Sequence, residues 1–285
     1  MLLLYIMNNL IKSEEEIRAI REGGKILHAI LKAIGKEIKP GANTADLEAL
    51  ACKMADEAGA RPAFKNYPMG GGIFFPDMLC ISINDEVVHG TATPGRILKS
   101  GDIIDIDLGI EWPAEESVRQ KFNLPKNPHS PLGGFFTDMS YTFPVGKVST
   151  ATKKLLQVTR ECLEKGLKAI KPGLKIGELG WVIQEHAEKH GYGVVRDLVG
   201  HGVGYLAHED PAVFNYKIPD DDPENITIEE GMVLAVEPMI NAGTWRIRVD
   251  KGNKYTIKTA DGSMSAHFEH TVAVTKNGCE ILTAE

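Results

Sequence analysis

The chain repeats itself. Ile38-Lys39-Pro40-Gly41 recurs as Ile170-Lys171-Pro172-Gly173, and at the same offset Asp46-Leu47 becomes Glu178-Leu179 and Gly59 becomes Gly191. Further on, the run from Gly101 to Asp107 is echoed by the run from Gly231 to Glu237, each ending in an acid. Asp138, before Met139-Ser140-Tyr141-Thr142, is echoed by Glu269, before His270-Thr271-Val272-Ala273. One such match is within chance; three in order at nearly one offset imply a duplication. The chain therefore reads as two copies of a helix–helix–strands unit, about 13–149 and 150–285, joined in one α+β domain over 13–285. A single domain is favoured because each half alone would leave its acids unpaired.

Local signals fill in the units. Ser13 and Glu16 form a capping box, and Ile17, Ile20, Leu27, Ile30, Leu31 and Ile34 follow at helical spacing. Further helices are expected from about Asn43 to Glu57, Thr150 to Ile170 and Ile176 to His190. Short apolar runs between the helix pairs read as strands. The apolar N-terminus, residues 1–12, lacks a basic region before its apolar run and is too short to span a bilayer, so it reads as an arm packing on the body. Residues 111–134 carry Pro113, Pro125, Pro128 and Pro131 among polar residues and read as a surface loop, as does 210–230.

Bulk properties narrow the function. A net charge of −7 argues against a general binder of DNA or of anionic membranes. Cys52, Cys80, Cys162 and Cys279 have no CxxC spacing, which fits a reducing compartment without disulfides or structural zinc. No segment is long and apolar enough to span a membrane, so a cytoplasmic location is expected.

The strand GDIIDIDLGI, residues 101–110, poses the chemical question. Asp105 and Asp107 point to one face of an apolar strand, where an uncompensated carboxylate costs several kcal/mol, roughly. With the repeat, Asp107, Asp138, Glu237 and Glu269 all stand on apolar strands. Burying four like charges together requires cations, and paired divalent metals supply them. A salt bridge or an edge-strand charge would explain any one acid alone.

His201 lies among Gly200, Gly202 and Gly204, which permit the close backbone approach of a ligand-bearing turn. His208 follows; strand alternation would put it on the opposite face, so one histidine would ligate and the other contact substrate. His89, at a strand end beside Gly90, fits a surface residue as well as a functional one. His186 and His190 share a helix face, but without HExxH they read as exposed. GxGxxG, Walker A and GxSxG patterns are absent from the sequence.

The segments SINDEVVHG, GDIIDIDLG, FFTDMSYTF, GHGVGYLAHEDP, EGMVLAVEPMI and SAHFEHTVAVT together make the chain resemble the type I methionine aminopeptidases, from about Ile11 to Thr283. The resemblance implies the pita-bread fold, with two pseudo-twofold halves, a curved antiparallel sheet and a dinuclear metal site between them. It implies five ligands: Asp107 on one metal, Asp138 and Glu269 bridging, His201 and Glu237 on the other. The ions would be Co²⁺, Mn²⁺, Fe²⁺ or Zn²⁺, an oxygen-rich donor set suiting the first three at least as well as zinc. The implied reaction is removal of the N-terminal methionine from peptides and nascent chains by metal-bound hydroxide. Glu237 would carry the proton, and His89 and His208 would contact substrate.

Tyr67, Phe75, Cys80 and Tyr255 would line the methionine pocket. A monomer, with ribosome contact by family analogy, completes the expectation. Proline-specific peptidases share the fold and ligands and are the alternative, but Glu269 is followed here by His270-Thr271, as in methionine aminopeptidases. A non-enzymatic binding protein on the same fold is a further reading, against which all five ligands are present.

There are departures from the family pattern. Asp105 stands where asparagine is common, and Ala207 and Tyr255 replace a usual phenylalanine and tryptophan. The stretch 67–77 and the excursion 111–134 are longer than usual.

Overall fold

A computed structural model describes residues 10–284; of the expected N-terminal arm, residues 1–9 lie outside the described residues. Ile11 bridges Met232, and the Lys12 N–H donates to the Gly231 carbonyl at 2.9 Å, so the chain enters along the second half.

Helix α1, Glu14–Glu37, starts at the expected capping box. The Glu16 N–H donates to Ser13 Oγ at 3.3 Å, and the Ser13 N–H donates to Glu16 Oε2 at 2.8 Å. Its apolar stripe buries Leu27, Ile30, Leu31 and Ile34 against Ile104, Ile106, Leu108 and Ile110 of the strand Ile103–Trp112. Each such side chain contributes about 1.5–3 kcal/mol by leaving water. Helix α2, Thr44–Glu57, joins this cluster through Leu47, Ala51 and Ala55. In the second half the helices corresponding to α1 and α2 are Thr150–Ala169 and Ile176–Lys189. They bury Leu155, Val158, Leu179 and Ile183 with Leu234 and Val236 of the strand Val233–Val236.

The two halves share small features as well as elements. Gly41 and Gly173 both have φ +91, and each donates its N–H to an equivalent carbonyl, Leu98 at 2.8 Å and Ile228 at 2.9 Å. The bridge Asn43↔Ile97 is matched by Lys175↔Thr227. Gly101 and Gly231, also at positive φ, donate to Val145 and Val274. A positive φ is where glycine is cheapest, which is why these turns keep it in both copies.

One antiparallel sheet runs through both halves. Its central order is Ile103–Trp112, Phe135–Pro144, Ser265–Thr275, Val233–Val236 and Gly200–Gly202. The seam between halves pairs Glu269 with Ser140 and His270 with Met139. Alternation then explains the acidic strands: Ile104, Ile106 and Leu108 face the helices, while Asp105 and Asp107 face the other side of the sheet. All four cysteines are free, and among the described residues no helix is long and apolar enough to cross a membrane.

The excursion 111–134 is not simply a surface loop. The strands around it extend to Trp112 and from Phe135, a short helix α3 spans Glu116–Lys121, and Asn127 and Ser130 are buried. The burial is compensated. Asn127 donates to two carbonyls, and the Ser130 hydroxyl bonds the Glu111 carboxylate. Proline-rich polarity signalled a loop because burial here depends on partners such as Tyr205 and Glu111, which lie elsewhere in the sequence. The stretch 210–230 likewise opens in the strand Glu209–Val213, while Asp220, Asp221 and Glu224 are exposed.

Candidate metal centre

Asp107, Asp138, His201, Glu237 and Glu269 meet in the cleft between the halves. Donor atoms of Asp107, Asp138 and Glu269 lie within 4.8 Å of one another, and so do those of His201, Glu237 and Glu269. The two sets share Glu269, an arrangement that offers two adjacent cation positions. His201 Nε2 stands 3.5 Å from Glu237 Oε1 and 4.0 Å from Asp138 Oδ2. Its Nδ1 is paired with the Gly202 carbonyl at 2.9 Å, which fixes the ring and leaves Nε2 for the cluster. Asp138 is gripped across the seam: its N–H donates to Thr271 Oγ1 at 3.0 Å, and the Thr271 hydroxyl donates to its carbonyl at 2.7 Å.

The electrostatics call for cations. Burial, reinforced by the nearby acids Asp105 and Glu237, pushes Asp107 up to about 7, although the His267 charge opposes it. Burial first, then the neighbouring carboxylates, pushes Asp138 and Glu269 well above the ordinary carboxylate range. Among the described residues, Asp107 Oδ1, Asp138 Oδ1 and Glu269 Oε1 are buried without hydrogen-bond partners. Buried oxygens are normally paired, so three orphaned in one cluster fit ligation to divalent metal.

Beside the donors the cleft has an empty volume of ≈ 680 Å³. Phe64, Tyr67, Met69, Phe75 and Leu198 form an apolar wall. Cys80 lines it too, accepting the His89 N–H at 3.0 Å on Sγ. His89 is held at φ 60, and burial pulls its imidazole down to about 4. His208 is lowered well below its ordinary value by burial, then by the charges of His201 and His89. Both are therefore neutral near pH 7.

One expectation needs correction. Strand alternation does not separate His201 from His208, because the strand ends at Gly202 and a turn brings the rings to 4.4 Å between centroids. His208 also falls within reach of Asp138 and His201. Tyr255 packs edge-on against Phe75, centroids 5.9 Å apart, in the cluster with Phe64 and Cys80 that borders the cleft. Ala207 is buried in a neighbouring apolar cluster. His186 bonds Glu161 across the helix pair at 2.8 Å, away from the cluster.

Phe64, Met69, Leu198 and His267 escaped the sequence reading. For His267 a signal existed: alternation in Ser265-Ala266-His267-Phe268-Glu269 sets it on the face of Glu269. Its Nδ1 is 3.3 Å from Asp105 Oδ2, so Asp105 faces a histidine.

Comparisons with known proteins agree with this geometry. Residues 18–115 and 130–276 match metallopeptidase family M24, leaving unmatched the middle of the excursion. A methionine aminopeptidase of Clostridium acetobutylicum is 41% identical over 274 residues, covering 96% of this chain and 98% of that protein. The crystal structure of methionine aminopeptidase from Thermotoga maritima aligns with TM-score 0.84 at 38% identity, covering 96% of this chain and 99% of that one. The prolidase of Pyrococcus horikoshii OT3 shares the fold at TM-score 0.70 and 25% identity, and the chain covers 63% of it. With both halves of the duplication and the strands of all five donors inside the matched residues, the chain belongs to metallopeptidase family M24.

Proposed function

We propose that the chain removes the N-terminal methionine from peptides and newly made proteins, using two divalent cations held by Asp107, Asp138, His201, Glu237 and Glu269. The observation that carries this reading is the opening of an apolar cleft directly onto a buried donor cluster whose carboxylate oxygens lack partners. The names and near-complete coverage of the similar methionine aminopeptidases support it, and the lower identity to the prolidase makes the X-Pro alternative weaker.

When bound, the cations supply Lewis-acid polarisation of a carbonyl and lower the pKa of water. The protein's residues do the rest. Glu237 accepts the proton of the attacking water and delivers it to the leaving amine. His89 and His208, neutral by burial, present ring N–H groups to the carbonyl oxygen and the scissile amide. The acidic cluster attracts a free α-ammonium, which restricts cleavage to chain ends. Phe64, Tyr67, Met69 and Phe75 enclose an unbranched thioether side chain in apolar surface.

The hairpin of strands Ile247–Val249 and Ile257–Thr259 abuts the cleft through Thr256, whose hydroxyl donates to the His89 carbonyl at 2.8 Å. Arg246, Lys251 and Lys254 are exposed on the hairpin, while Arg248 pairs with Asp85, and these positive groups support docking at the ribosome of a protein that acts as a cytoplasmic monomer.

The test is a peptide panel of Met-Gly-, Met-Ala-, Leu-Gly- and Ala-Pro- substrates with Mn²⁺ or Co²⁺, with and without chelator. Release of methionine that chelator abolishes is expected. Preferential cleavage of Ala-Pro- would install the proline-specific reading, and inertness with every metal would favour a binding protein.

A further inference from the structure

The segment between the two aspartate-bearing strands takes no part in the chemistry above, yet it is joined to Tyr205, at the start of the turn that leads to His208. Asn127 is fully buried. Its Nδ2 donates to the Gly134 carbonyl at 2.7 Å and to the Tyr205 carbonyl at 2.9 Å, while its Oδ1 accepts the His129 N–H at 2.9 Å. The His129 ring leans on Tyr205 with centroids 5.1 Å apart. The base of the segment is fixed in turn, since Glu111 accepts from Ser130, the Gly134 N–H and Arg61.

Tyr205 opens the turn that ends in His208. Other contacts hold the same turn. The Phe136 N–H donates to the Gly204 carbonyl at 2.8 Å, the Leu206 N–H to Glu209 Oε2 at 3.0 Å, and the Tyr205 hydroxyl to Glu16 at 2.9 Å. The His208 ring itself packs on Tyr67 and His201, and among the described residues its Nδ1 has no hydrogen-bond partner. Its aim is therefore set by those rings, by Phe64 stacked at 6.4 Å, and by the backbone of the turn.

We propose that residues 116–133 brace the turn carrying His208, and that Asn127 is the positioning residue, fixing the imidazole through the Tyr205 carbonyl. The proposal rests on the reading of His208 as a substrate-contacting group. Without the Asn127 amide, the buried Tyr205 carbonyl is stranded and the turn relaxes toward another donor. A displacement of about 1 Å at a catalytic group costs up to about a hundredfold in rate.

The test uses full-length protein loaded with Mn²⁺ and a Met-Ala-Ser peptide. Asn127→Ala should lower kcat about tenfold, with KM and bound Mn²⁺ unchanged. Amide exchange over 203–209 should quicken in the metal-free variant, while the strand Ser265–Thr275 stays protected. In a His208→Ala background the same substitution should cost nothing more, because both act through one imidazole. Lys121→Ala, on the outer side of α3, should match the parent.

Wild-type kcat in Asn127→Ala, a full additional loss on top of His208→Ala, or a loss that tracks missing metal would each overturn the proposal. If Asn127→Ala does not fold, His129→Ala keeps the amide's bonds to both carbonyls and removes only the ring contact. It should lower kcat about two- to threefold, and an unchanged kcat with unchanged exchange would overturn the brace. If His208→Ala alone is fully active, the assigned role of His208 falls, while the exchange measurement still judges the brace.

Discussion

His267 Nε2 lies 3.5 Å from Glu237 Oε2, inside the ring of metal-directed carboxylates. Its other nitrogen faces Asp105, which also accepts from Ser140 at 2.7 Å and Thr142 at 3.0 Å and so cannot swing away. Burial opposes a charge on the ring, but the charge and hydrogen bond of Asp105, with the nearby Glu237 carboxylate, raise the imidazole well above its ordinary value. His267→Ala should lower kcat about a hundredfold, the scale of an impaired general base. His267→Gln, which retains a donor toward Glu237, should recover part of that. Metal analysis alongside the kinetics checks the assignment: if both variants lose their metal, His267 acts on binding and not on Glu237.

Asp107→Ala should abolish measurable turnover and remove about one cation per chain, read by elemental analysis. The same change removes one of several crowded carboxylates, so the metal-free variant should melt higher than the metal-free parent. A variant with full metal content would contradict the ligand assignment.

The metal-free protein should become less stable as pH rises from about 4 to 7. Folded Asp107 keeps its proton up to about 7, whereas an unfolded aspartate releases it near its ordinary 3.8. Within that window the folded state binds more protons, so stability falls by about 1.4 kcal/mol per pH unit for this group alone. Divalent metal replaces the proton, so the rise in melting temperature on adding Mn²⁺ should grow from pH 5 to pH 7.5. Calorimetry with and without metal measures it; a metal-induced shift independent of pH would refute the reasoning.

Lys12 and Glu209 form an ion pair with both side chains almost fully buried. Lys12→Ala would leave the Glu209 charge alone in the interior, a change that costs about 3–5 kcal/mol. A melting temperature lower by roughly 6–15 °C is expected. Combining Lys12→Met with Glu209→Gln should regain much of the loss, since no lone charge then remains.

Phe75 lines the cleft and packs edge-on against Tyr255. Phe75→Ala should open the apolar wall and reduce kcat/KM for methionyl peptides about tenfold, with a smaller loss for bulkier N-terminal residues. Equal losses for all side chains would mean that Phe75 supports the fold and not selectivity.

The parts that were legible in the sequence were those that violate a simple expectation. Asp107 in an apolar strand and the recurring Ile-Lys-Pro-Gly needed an explanation, and both led to the two-half architecture and the acidic cluster. The four long helices followed from caps and spacing, with bounds within a residue or two, while the short Glu116–Lys121 helix did not. Less was visible where contact depends on a turn. His208 rejoins His201 only because the strand stops at Gly202. Asn127 gave no sign, since an asparagine among prolines looks the same in water or beneath a tyrosine carbonyl. His267 differed: its alternation with Glu269 was readable, but a histidine attracts less suspicion than a carboxylate.

The seam that pairs Glu269 with Ser140 has a consequence for the birth of the molecule itself. A ribosome that has completed only the first half has made two of the five donors and no His201. Each polypeptide thus stays incapable of trimming other chains until almost its whole length has emerged, so its hydrolytic power switches on in step with its own completion.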